Sequence, residues 1–369
     1  MARRQRAFVS VIPGEARALI LIFAVAGLAA LVVGSVAASP HLTGTVTPTP
    51  IHVSTKATVV PNIVPGPLNG EPTQRRIALR RPIAAVIDNL YPDARPQAGL
   101  NRASLVFETL AEGGITRLMG VFLEHDASQI GPIRSARPYF VKWAAGYRAL
   151  FVHAGGSPAA LQLLYLTPQL GNVEALLPRP EFHRESDRIS PHNLFGSTDG
   201  VRAIAVRNAW NHRVSYAWLA HKTPAPKAER GHISHIRINF STPNISSPPD
   251  YAVDYRFERA QDLYVRSVGG VPAIDRLANR PVETSNVVLL YTSIAPIPND
   301  AEARVAVGVV GKGKALIFED GGIVRGSWSK SGVLAPLRLK DATGSPVKLN
   351  PGQTWFEVTT PGDATWGGK

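Results

Sequence analysis

Arg134 and Arg137 stand three residues apart in GPIRSARPYF (131–140), just ahead of a proline that suits the first position of a helix. The leading N–H groups of a helix have no partner within it, so its start already carries positive potential. Two guanidinium groups there require an anion, either a carboxylate of the same chain or a ligand. Such forks beside free N–H groups form a receptor for carboxylate or phosphate. Glu108 and Glu112, four residues apart in FETLAEGGITR, are the carboxylates to weigh against them. That spacing puts both on one face of a strand, and equally on one face of a helix. If Gly113-Gly114 is a two-residue turn, Leu110 faces Arg117, and Arg117 lies diagonally between the glutamates. Two answers follow. The five charged groups neutralise one another and fix the local geometry, or they frame a pocket for an anionic ligand. Such a pocket is lined by Asp88, Asn89, Glu112, Arg117, Arg134, Arg137, His153 and His192, with Asn89 and His192 orienting the anion.

Catalytic readings are weaker. Glu108 and Glu112 can be cast as the acid and base of a glycan hydrolase. A cation such as Arg117 beside them lowers carboxylate pKa and makes a poor proton donor. Ser157 in HAGGSP does not sit in G-x-S-x-G, and Pro158 removes the N–H that a nucleophile elbow uses. An N-cap role explains the same residues. His153, His183 and His192 match no compact metal motif, and arginines surround two of them. His232 and His235 are an odd number apart, so a strand points them to opposite faces. No metal or cofactor is expected. GKGK (311–314) lacks the strand–loop–helix setting of a phosphate loop and is read as a hairpin turn, and Trp328 as a core residue. No basic–aromatic module typical of nucleic-acid binding appears.

The elements that must position these residues alternate in type. RPIAAVIDN (81–89) reads as a buried strand with a polar exit, and ASLVFETLAEGGITRLMGVFLEH as a hairpin about Gly113-Gly114. PYFVKWAAGY (138–147) has amphipathic helical spacing. RALFVHAGGSPAALQLLY reads strand, glycine turn, helix, with Ser157 as N-cap. A mixed α/β domain over 81–220 is expected. HKTPAPKAERG (221–231) is a linker or long loop. Beyond it HISHIRINF, YAVDYRFE, LYVRSV, SNVVLLYTS, KALIFED, GIVRGSW and TWFEVTT are strand-like, so 221–369 is expected to be mainly β.

The chain has 369 residues, a net charge of +13 and no cysteine. Disulfides, thiolate metal sites and a lipid-modified cysteine are thereby excluded, and the basic charge suits anionic polymers and lipids. Arg3, Arg4 and Arg6 in the tail 1–17 precede an uncharged run from Ala18 to Pro40. That run exceeds the ~20 residues needed to span a bilayer, and the arginines favour a cytoplasmic N-terminus. A single transmembrane signal-anchor with the bulk outside is expected, a cleaved signal peptide being the competing reading. Residues 41–80, rich in proline and threonine, read as an extended linker.

The ordered set IDN (87–89), ARPQAGL (94–100), EGGITR (112–117), GPIRSARPYF, HAGGSP and PHNLF (191–195) resembles the YerB-like bacterial lipoprotein family. GKGKALIFEDGGIVRGSWSK and LNPGQTWFEV resemble that family's second domain. The resemblance spans roughly 81–369 and implies a two-domain extracytoplasmic protein of unassigned function. Family members often carry a lipidated cysteine, for which this chain offers the apolar run instead. The resulting expectation is a non-catalytic protein that binds or scaffolds an anionic envelope polymer or a cell-wall assembly protein. The rival is an envelope glycan hydrolase using Glu108 and Glu112.

Overall fold

A computed structural model describes residues 62–215, 219–242 and 245–368. The basic tail, the apolar run 18–40 and most of the following linker lie outside the described residues. Among the described residues no helix is long and apolar enough to cross a membrane.

Five strands of the first half enter the main sheet: β1 (Ile83–Ile87), β2 (Leu105–Leu110), β3 (Thr116–Phe122), β4 (Leu150–His153) and β5 (Gly171–Glu174). The apolar run of β1 is buried along its whole length, as a strand covered on both faces must be. Three helices accompany them: α1 (Pro138–Gly146), α2 (Pro158–Tyr165) and α3 (Thr198–Arg207). Pro138 and Pro158 open α1 and α2, and the Ser157 hydroxyl accepts from the Ala160 N–H (3.3 Å), the cap expected from the sequence. Ser197 caps α3 in the same way.

The second half supplies β6 (His235–Ile238), β7 (Val253–Glu258), β8 (Leu263–Val268), β9 (Asn286–Tyr291), β10 (Gly311–Glu319), β11 (Gly322–Lys330), β12 (Arg338–Asp341), β13 (Thr354–Thr359) and β14 (Ala364–Gly367). Strands from both halves form one ten-stranded sheet in the order β12-β11-β10-β9-β13-β2-β3-β1-β4-β5. The joint is β13, which runs parallel to β9 on one side and β2 on the other. Phe107 of β2 stacks between Trp143 of α1 (4.9 Å) and Phe356 of β13 (4.6 Å), so the apolar core is continuous across the joint. A second, six-stranded sheet is built around β8-β7-β6-β14. The architecture is strand-rich α+β, and the first half mixes helices and the parallel strands β1, β4 and β5 with the antiparallel pairing of β2 and β3 beside β1, in keeping with the mixed domain expected.

Three expectations need correction. The linker expected to run to residue 80 is folded from residue 62: Ile63–Pro65 pairs with Pro72–Gln74, and Leu68 is fully buried. GKGK is not a turn but the start of β10; the turn is Asp320-Gly321, both at positive φ, where Asp-Gly is the stronger hairpin signal. The β2–β3 hairpin exists, yet its loop holds three residues. Ala111 N–H donates to Ile115 C=O around Glu112, Gly113 and Gly114. Arg117 therefore faces Thr109, one position away from the expected Leu110. A one-residue slip moves a side chain to the other face. Arg117 lies on the face opposite Glu108.

Candidate functional site

The GPIRSARP loop is tied to the carboxyl ends of two parallel strands. Arg134 N–H donates to Val86 C=O at the end of β1, and Arg134 C=O accepts from Ala154 just past β4. Ligands of such sheets bind at these strand ends. Asp88 leaves β1 there with its carboxylate buried. Its Oδ2 accepts from His192 Nδ1 (2.7 Å) and lies 3.3 Å from Arg134 Nε; its Oδ1 accepts from Leu90 N–H (3.1 Å). Burial alone raises the Asp88 pKa. The His192 hydrogen bond and the charges of Arg117 and Arg134 outweigh it and hold the carboxyl below its ordinary value.

Glu112 closes the second group. One of its oxygens accepts from Arg117 Nη2, the other from Arg137 Nη2 (2.7 Å) and Nε (3.1 Å). Arg137 is the N-cap residue of α1, as expected, and its side chain makes no cap hydrogen bond. Burial, then the charge of Arg117, lowers the Arg137 pKa, and Glu112 opposes both. The anion demanded by the two arginines thus comes from the chain: Glu112 for Arg137 and Asp88 for Arg134.

Not every group is spent. Asp88 and Glu112 set two negative charges against Arg117, Arg134 and Arg137, which leaves one positive charge. Arg117 and Arg137 are buried, whereas the Arg134 side chain is 24% exposed. Among the described residues, the Arg134 Nη nitrogens and His192 Nε2 have no hydrogen-bond partner. The surplus charge therefore sits at the solvent-facing arginine. The balance is positive because Glu108 is not in the group.

Glu108 belongs to a different cluster, fully buried where the halves meet. Its Oε1 accepts from Thr116 Oγ1 (2.6 Å) and Asn89 Nδ2 (3.4 Å), and its Oε2 from Arg266 of β8. Directly opposite, in register, is Glu357 of β13, which accepts from the Tyr255 hydroxyl of β7. The Arg266 guanidinium lies 4.5 Å from the Trp355 ring centroid. Burial first, and then the charge of Glu108, pushes the Glu357 pKa well above its ordinary value. Glu108 and Glu112, paired in the hydrolase reading, share no partner.

Two other expected ligand groups are used internally. The Asn89 carbonyl accepts from Arg95 Nε (2.9 Å) and Gln97 Nε2 (2.7 Å), and its amide donates to Thr116 Oγ1 (2.7 Å), so it has nothing left to orient an anion. His153 is buried, its Nδ1 donating to Gly155 C=O (2.8 Å) and its Nε2 2.7 Å from the Asn172 side chain. Sequence reasoning missed Arg266, Tyr255 and Glu357. The signal was present for two of them. Arg266 holds a buried parity position in β8, between Tyr264 and Val268, and Glu357 interrupts the apolar run of β13.

Residues 68–211 match the family model described as "Protein of unknown function (DUF3048) N-terminal domain", and residues 244–356 match its C-terminal domain. The chain is 30% identical over 304 residues to the protein of Bacillus subtilis (strain 168) named "Putative lipoprotein YerB", covering 81% of this chain and 87% of that protein. The crystal structure of YerB from Bacillus subtilis superposes with a TM-score of 0.73 at 29% identity, covering 82% of this chain and 99% of that one. With both domain models in order and a relative aligned over most of its length, this chain belongs to the two-domain DUF3048 family, homologous to YerB and without an assigned function.

Proposed function

We propose that this is a membrane-attached, extracytoplasmic protein that binds an anionic component of the cell envelope, or a partner in cell-wall assembly, without chemical turnover. The carrying observation is Arg134. It bears the surplus charge of its cluster, keeps both Nη nitrogens free and lies at the carboxyl ends of β1 and β4 beside His192. Asp88 holds both side chains in place, and a carboxylate or phosphate then completes the guanidinium fork. Attachment rests on the uncharged run 18–40 behind Arg3, Arg4 and Arg6, and on the lipoprotein name carried by a relative. With no cysteine to lipidate, the apolar run itself is the anchor, and the body lies outside. Hydrolysis is the poorer reading, since Glu108 is buried against Arg266 and Glu112 is held by two arginines.

The test uses full-length protein extracted in detergent and mixed with purified peptidoglycan. The protein is expected to sediment with the polymer and to leave no soluble fragments. Fractionated cells are expected to hold it in the membrane pellet, extracted only by detergent. Released glycan fragments, or a shortened protein in the soluble fraction, count against the proposal.

A further inference from the structure

The free edge of the ten-stranded sheet carries a surface that the Arg134 site does not involve. Four strands separate β10 from β1 in the sheet. Register fixes which side chains of the edge share a face: Lys312 aligns with Ser329 and Arg338, Lys314 with Ser327 and Lys340, and Leu316 with Arg325. Cross-strand partners point the same way, so five cations and two serine hydroxyls occupy one face. The opposite face carries Ile317, Trp328 and Leu339, which are buried. Lys312, Lys314, Arg325, Arg338 and Lys340 are all exposed, and among the described residues none of them pairs with a carboxylate. Like charges gathered on one strand face repel one another.

A cavity of about 770 Å³ opens on the same face. Lys314, Leu316 and Arg325 form its floor, and Tyr291, Trp366 and the Pro361-Gly362 turn its walls. Trp366 is set edge-on against Phe318 (5.7 Å), and the Arg325 guanidinium lies 5.8 Å from the indole centroid. The ring therefore offers an aromatic wall with a cation on it rather than a bare stacking platform.

We propose that this cavity and the cationic strand face beside it bind an anionic polysaccharide, one whose sugars carry carboxylate or phosphate groups. Residues two apart on a strand stand about 6.8 Å from each other, and neighbouring strands about 4.8 Å. The cations thus form a fixed grid that meets a polymer bearing an acid at regular intervals. The serines between them match sugar hydroxyls, and the aromatic walls of the cavity receive a sugar ring. A flat membrane cannot enter the cavity.

Full-length protein in a zwitterionic detergent is titrated with polygalacturonate, phosphomannan, neutral dextran, single-stranded DNA and phosphatidylglycerol vesicles. Binding is expected to one of the two acidic polysaccharides, which identifies the acid, and not to dextran. Lys312→Gln/Lys314→Gln/Arg325→Gln is expected to raise Kd at least about tenfold, roughly 1.4 kcal/mol, with unchanged thermal unfolding. Trp366→Leu is expected to weaken polysaccharide binding but not the residual attraction to DNA. Arg134→Gln removes the other proposed anion site, so a loss seen in the triple variant and not in Arg134→Gln is assigned to this face, and failure here and failure of the Arg134 site are read separately. Wild-type affinity in the triple variant, or equal binding of DNA, vesicles and polysaccharide, overturns the proposal.

Discussion

Arg266→Met is expected to destabilise the protein by about 3–5 kcal/mol, the cost of leaving a buried charge without its partner. Arg266 is the cation of a cluster that otherwise holds two fully buried carboxyl groups, Glu108 and Glu357. Burial, and then the charge of Glu108, push the Glu357 pKa well above its ordinary value, and the Arg266 guanidinium donates to Glu108. Without the guanidinium, Glu108 retains only the neutral donors Thr116 and Asn89. Total stability of a folded domain is about 5–15 kcal/mol, so the loss is a large share of it. Adding Glu108→Gln to Arg266→Met removes the stranded charge and should restore much of the loss, a coupling that a double-mutant cycle in urea reads directly. The same cluster sets a pH dependence. The folded state binds the Glu357 proton more tightly than the unfolded chain, so stability falls as pH rises from the ordinary carboxylate value toward the raised one. Glu319, pushed up to about 7 by burial, works in the same direction over that range. Asp88 works in the opposite direction, its contribution being lost on acidification. Glu357→Gln should flatten the decline above pH 4.5. An Arg266→Met variant as stable as wild type, or an unchanged slope in Glu357→Gln, contradicts this account.

Glu112→Ala is expected to cost about 3 kcal/mol, the lower end of the range for a broken buried pair. Glu112 is the carboxylate that serves both Arg117 and Arg137, whose side chains are 1% and 6% exposed. Removal strands two cations, and Arg117 Nε already lacks a partner. The Glu112 side chain is itself 18% exposed, so water reaches the gap and keeps the loss from the upper limit. Glu112→Gln preserves a hydrogen-bond acceptor but no charge, and falls between. Urea midpoints for the two variants, ordered wild type, Gln, Ala, are the expected result. A loss of binding in Glu112→Ala then reports a weakened fold and not a missing catalytic group.

The sequence carried the local elements well. The all-apolar run of β1, the Gly-Gly hairpin and the Ser157-Pro158 helix start each rest on a contact within a few residues, and each is present. The hairpin register failed on a single residue. Positive φ at Gly113 and Gly114 is compatible with a two- or a three-residue loop, and only the loop length decides which face Arg117 takes. The joint between the halves had no local signature. Parallel pairing of β13 with β2 unites segments from opposite ends of the chain, and side-chain alternation in either strand is silent about its neighbour. The buried charges were the readable trace of it: Arg266 and Glu357 are costly in apolar strands unless something across the sheet neutralises them.

The central claim divides the arginines that opened the problem, Arg137 belonging to the fold and Arg134 to the ligand. It is tested most directly by urea unfolding of Arg137→Gln and Arg134→Gln side by side. Arg137 loses a buried pairing with Glu112, and its variant should lose several kcal/mol. Arg134 is partly in water and shares Asp88 with His192, so its variant should stay within about 1 kcal/mol of wild type. Equal losses in the two variants would make Arg134 another structural cation and remove the binding site proposed for it.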